Sequence, residues 1–71
     1  MFPNLNAEQA RHGHTNKNVA DMLGLNRNTY EAKKRNGKFS KDEIDFLCDT
    51  YHCSYRYLFN TKPIIPSNQT N

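Results

Sequence analysis

The sequence predicts an all-α fold of five short helices. Three observations carry this. Apolar residues recur at helical spacing, most completely at Ile44, Leu47, Cys48 and Tyr51. Thr15, Asn26, Ser40 and Ser54, residues suited to capping, stand just ahead of the periodic segments. Gly13, Gly24 and the Asn36-Gly37 pair stand just behind them, where helices stop.

The first helix is predicted from Asn4 to His12, with Leu5 and Ala10 turned inward and Gly13 breaking it. The second is capped by Thr15 and carries Val19, Ala20 and Leu23 on one stripe. Gly24 ends it in the left-handed conformation that glycine takes without strain, and Leu25 plugs the corner. Asn26 caps the third helix, whose first turn carries Arg27, Asn28 and Thr29, all polar and solvent-facing. Asn36-Gly37 turns the chain. Phe39 then precedes Ser40-Lys41-Asp42-Glu43, a capping box in which serine and glutamate satisfy each other's backbone N–H groups. His52-Cys53 form a corner, and Ser54 caps a short fifth helix with Leu58 inward.

The second and third helices together read as a helix-turn-helix. A polar first turn on a helix braced at an angle to its neighbour suits insertion into a DNA major groove. Residues 1–60 are therefore read as one helix-turn-helix DNA-binding domain. Residues 61–71, with two prolines and no helical pattern, are read as a flexible tail. Its Ile64-Ile65 pair is the exception, able to dock on the body or to pair with a second chain.

Size and charge narrow the function. A 71-residue chain buries roughly 60% of its unfolded surface and has no room for a deep catalytic cleft beside a core. The net charge is +3 and the pI about 9.0. Six bases (Arg27, Lys33, Lys34, Arg35, Lys38, Lys41) lie between Arg27 and Lys41 against Glu31 alone, whereas Asp42 to Asp49 holds four acids and no base. Positive charge thus gathers on the third helix and just after it, where phosphates would lie. No apolar run approaches the ~20 residues of a membrane span, and no export signal is evident. The expected location is the cytoplasm, at the nucleoid, and in the host cell if the chain is phage-encoded. Cys48 and Cys53 are then expected as reduced thiols.

From Asn4 to Phe59 the order of features resembles the Cro/CI-type (XRE-family) helix-turn-helix regulators of phages and bacteria. The resemblance rests on Asn4-Leu5-x-Ala7-Glu8-x-Ala10-Arg11, Gly13-x-Thr15 and Val19-Ala20-x-x-Leu23-Gly24-Leu25. It continues in Asn36-Gly37-Lys38, the amphipathic fourth helix, and Cys53-Ser54-x-x-x-Leu58. It implies a compact five-helix, lambda-repressor-like helix-turn-helix domain. It further implies a transcription regulator that binds double-stranded operator DNA as a homodimer, a repressor of Cro type without a separate oligomerisation domain.

By position in that pattern, Arg27, Asn28 and Ala32 match the family's base-reading residues, and Thr29 joins them from the first turn. Arg27 can donate to guanine O6 and N7, Asn28 can pair with adenine N6 and N7, and Ala32 can touch a thymine methyl. Asn16 and Lys17 match the start of the second helix, where the family contacts phosphate. Lys33, Lys34, Arg35 and Lys38 are expected on backbone phosphates. The chain departs from the pattern in three places. Lys33 and Lys34 stand where an apolar residue and an acid are common, so Tyr30 and lysine stems must supply packing. Gln9 replaces an arginine that usually braces the first helix against the third. One extra residue precedes Asn36-Gly37.

Other readings are weaker. Cys48, Cys53, His12, His14 and His52 are metal-ligand types, but they lack the paired close spacings of structural zinc sites, and the cysteines fall on an apolar face. No metal or cofactor is expected. No nucleophile, histidine and acid stand in a recognisable catalytic order, and no glycine-rich phosphate loop is present, so no enzyme is expected. The alternative that matters is a protein-binding module. Phe46 falls off the inward face of the fourth helix, and Tyr55, Tyr57 and Phe59 cannot all turn inward on so short a fifth helix. Such a surface fits a homodimer contact. In a sharper version it fits a phage anti-repressor that binds a CI-type repressor protein and blocks its DNA binding.

Overall fold

A computed structural model describes residues 1–62 as five helices: α1 (Pro3–Arg11), α2 (Asn16–Leu23), α3 (Arg27–Asn36), α4 (Lys41–Tyr51) and α5 (Tyr55–Leu58). No strand occurs among the described residues. Most of the predicted tail, including Ile64-Ile65, lies outside them. No helix among them is long and apolar enough to cross a membrane.

The capping residues act as their chemistry predicts. Thr15 Oγ1 accepts from Asn18 N at 3.1 Å, and the Asn18 side chain returns the bond to Thr15 N at 2.9 Å. Asn26 Oδ1 accepts from Thr29 N at 2.8 Å. Ser40 and Glu43 close a reciprocal capping box, and Ser54 Oγ accepts from Tyr57 N. At the other end of α2, Gly24 has φ +74° and Leu25 N donates to Ala20 O at 2.8 Å, so the last turn closes on itself. His52 does the same for α4, with φ 53° and Cys53 N donating to Cys48 O at 3.0 Å.

Every helix contributes to one core. Leu5 comes from α1, Val19 and Ala20 from α2, Tyr30 from α3, Leu47 and Tyr51 from α4 and Leu58 from α5. Phe2, ahead of α1, is buried against Phe39 and Phe59 at ring-centroid distances of 6.2 and 5.3 Å. α2 packs on α3, while α5 packs on both α4 and α1.

The inward face of α1 differs from expectation. Ala10 is exposed, and the helix runs one residue earlier than predicted at each end. Glu8 and Gln9 are buried in its place, beside Asn4. Polar side chains go inside only where they are partnered, and these are. Glu8 Oε2 accepts from Arg11 Nη1 at 2.6 Å and from the Tyr57 hydroxyl at 3.0 Å. Asn4 Nδ2 donates to Tyr57 O at 2.9 Å. Gln9 sits at the centre of a network that joins α1, α2 and α3.

Candidate nucleic-acid interface

The first turn of α3 stands in solvent. Arg27, Asn28 and Thr29 are all exposed, and the Arg27 side chain keeps 62% of its accessible surface. Tyr30, the next residue, is fully buried and anchors the helix from beneath. Ala32 is half-buried. The start of α3 faces α2 across an open depression of about 370 Å³ lined by Lys17, Asp21, Asn26, Arg27 and Asn28. Lys17 is exposed and pairs with Asp21 at 3.0 Å across one helical turn. Arg27, Asn28 and Lys17 therefore share one concave, water-accessible surface, with Thr29 exposed beside it.

The basic residues divide into two sets. Arg35 and Lys38 stand in solvent. Lys33 and Lys34 do not extend freely. Lys33 Nζ lies 3.3 Å from Glu43 Oε1 and donates to Lys38 O at 3.1 Å, tying α3 to the start of α4. Burial alone would raise the Glu43 pKa, but the Ser40 backbone N–H and the Lys33 ammonium outweigh it and hold the carboxylate below its ordinary value. Lys34 Nζ donates to Gln9 Oε1 at 3.1 Å and to Asn16 Oδ1 at 2.9 Å, and lies 5.2 Å from the centroid of the Tyr30 ring. Burial lowers its pKa, with Glu31 pulling the other way.

Asn16 is drawn into the same network. Its Oδ1 also accepts from Gln9 Nε2 at 3.1 Å, and its Nδ2 donates to Glu31 Oε2 at 3.0 Å. That carboxylate oxygen lies 3.8 Å from Arg27 Nε. Gln9 Oε1 takes a second, short hydrogen bond from the Tyr30 hydroxyl. Between α1 and α3, a neutral glutamine on α1 thus meets a phenol and an ammonium from α3. Sequence reading did not find Gln9 or Glu31 as parts of the site. The one available signal was the joint departure from the resembled pattern, Gln9 in place of an arginine and Lys34 in place of an acid.

The aromatic residues expected at a protein interface fall in two places. Phe46, 40% exposed, lies with Met22, Leu23, Asp42 and Glu43 around a shallow groove between α2 and α4. Tyr55, 61% exposed, stacks on Phe59 at 5.5 Å at the far end of the aromatic cluster of Phe2 and Phe39. Tyr57 and Phe59 are half-buried. Among the described residues, no ring contact joins Phe46 to Tyr55, Tyr57 or Phe59.

His12 is exposed, His14 is half-buried with Nδ1 2.9 Å from the Tyr51 hydroxyl, and His52 is exposed at its corner. Cys48 and Cys53 are free and half-buried, and burial raises both thiol pKa values. Among the described residues, no three His, Cys, Asp or Glu side chains converge as a metal site would require. Compared with known protein families, with curated proteins and with solved structures, the chain gives no match.

Proposed function

We propose that this chain is a sequence-specific DNA-binding transcription regulator of Cro type, built on a lambda-repressor-like helix-turn-helix domain. In this reading α3 enters the major groove of operator DNA. Arg27, Asn28, Thr29 and Ala32 meet base edges, while Lys17, Arg35 and Lys38 meet backbone phosphate. The observation that carries the reading is the contrast within four residues of α3. Arg27, Asn28 and Thr29 stand in water, and Tyr30 is sealed in the core. A rigid helix end that presents donors and acceptors outward meets the geometric demand of reading bases.

Selection of duplexes from a randomised pool, followed by gel retardation, tests it. A consensus duplex is expected, bound more weakly as salt rises. Arg27→Ala is expected to relax preference at one base pair by about 1–3 kcal/mol, the contribution of a bidentate contact. Failure to enrich any duplex, with no salt-sensitive DNA binding, would refute the proposal.

A second reading, an anti-repressor directed at another regulator protein, draws on the exposed Phe46 and Met22 beside Asp42. It predicts that Phe46→Lys or Tyr55→Lys abolishes capture of a CI-type repressor by the purified chain. Unchanged capture in both variants, measured by calorimetry, removes it.

A further inference from the structure

We infer that Lys34 is a positioning residue of the α3 reading face and not a phosphate ligand, an inference that rests on the DNA-reading proposal. Its ammonium spends two of its donors on carbonyl oxygens from two other helices, Gln9 Oε1 of α1 and Asn16 Oδ1 of α2. It lies against the face of the Tyr30 ring, which is itself in the core. One donor is left over, but to swing out toward a phosphate the ammonium would have to abandon both oxygens and the ring. Arg35 and Lys38, which stand in solvent, meet no such cost.

The same ammonium is one end of a path that runs to the base-reading arginine. Lys34 holds Asn16 Oδ1, Asn16 Nδ2 holds Glu31 Oε2, and that oxygen faces Arg27 Nε at 3.8 Å. Arg27, Glu31 and Lys34 are spaced i, i+4 and i+7, on one face of the helix. Asn16 lies opposite them at the start of α2. The brace therefore fixes both the rotation of α3 about its axis and the carboxylate that steers Arg27. Sub-ångström placement of such groups governs how well a site discriminates.

Lys34→Met tests this, with Lys38→Met beside it. Methionine keeps the stem over Tyr30. Gln9 Oε1 retains the Tyr30 hydroxyl and Asn16 Oδ1 retains Gln9 Nε2, so no acceptor is stranded. The probe is the duplex selected by the wild-type chain, with variants of it changed at single base pairs. Lys38→Met should weaken all duplexes alike and reduce the slope of log K against log salt by about one. Lys34→Met should leave that slope unchanged and cut discrimination at the Arg27 base pair by roughly fivefold or more. It should also move the backbone amide resonances of Arg27 and Glu31 in the DNA-free protein.

A slope reduced by about one with discrimination intact would overturn the inference. So would a fall in Tm with slope, discrimination and resonances all unmoved. A wild-type chain that selects no duplex would instead sink the DNA-reading proposal. The resonances of the free protein then decide on the brace alone: displaced, they uphold it, and unmoved, they overturn it.

Discussion

Gln9 joins three helices through one side chain. Its oxygen accepts from Tyr30 and Lys34 of α3, and its nitrogen donates to Asn16 of α2. The residue is only 5% exposed and Tyr30 is fully buried, so the Tyr30 hydroxyl has little water to fall back on. Removing one member of a buried network strands the others, at about 1–3 kcal/mol for each unsatisfied group. Gln9→Ala should therefore destabilise the fold by at least about 1–3 kcal/mol, read from a urea midpoint. Had Gln9 been a surface residue, the midpoint would not move. Nothing local in the sequence announces this role. Gln9 and Tyr30 are far apart along the chain, and a buried glutamine is recognised only when the helix that fills its hydrogen bonds is in place.

At the scale of the element, helix ends were the most legible feature. Thr15, Asn26, Ser40 and Ser54 cap the helices predicted for them, because an N-cap bond spans only two or three residues and is written locally. The inward face of α1 was misread at Ala10 for the opposite reason. Apolar periodicity has no term for a buried, satisfied Glu8 or Gln9. The candidate site divides the same way. Exposure of the polar first turn of α3 was legible from its cap and its composition. The internal pairing of Lys33 and Lys34 was not, since their partners lie on other helices. The close of α4 gives a prediction of its own. His52 holds φ 53°, a left-handed conformation that costs a residue with a Cβ about 1–2 kcal/mol. Glycine escapes that cost but loses more chain entropy on folding, by roughly 0.5–1 kcal/mol. His52→Gly should therefore raise stability by up to about 1 kcal/mol, seen as a higher Tm. A lower Tm would mean that the imidazole contributes more than its backbone costs.

The whole molecule should answer to pH at both extremes. On the acid side, the Glu43 pKa is held below its ordinary 4.5. Its contribution is therefore full above that value and is lost as pH falls through the folded-state value. On the alkaline side, burial raises Cys48 and Cys53 above 9.0 and Tyr30, Tyr51 and Tyr57 above 10.0. Their contributions are full below those values and are lost as pH climbs past them. Lys34, lowered from 10.5, runs the other way, gaining stability as pH rises, but one lysine stands against five acids. Urea midpoints should hold level from about pH 5 to about pH 9 and fall on either side. Glu43→Gln should flatten the acid arm. An acid arm that keeps its steepness in that variant would assign the loss to other carboxylates.

The three residues between α2 and α3 leave no slack. Gly24 and Leu25 are bound back into the helix they leave, and Asn26 is already committed to the one it starts. Each residue added to a helix start rotates the rest of that helix by about 100°. An insertion at this joint would swing Arg27 and Asn28 away from their outward bearing and carry Tyr30 out of its socket. Under the DNA-reading proposal, descendants of this chain would acquire new targets by exchanging side chains on a fixed frame, whereas insertions and deletions at the joint are closed to them.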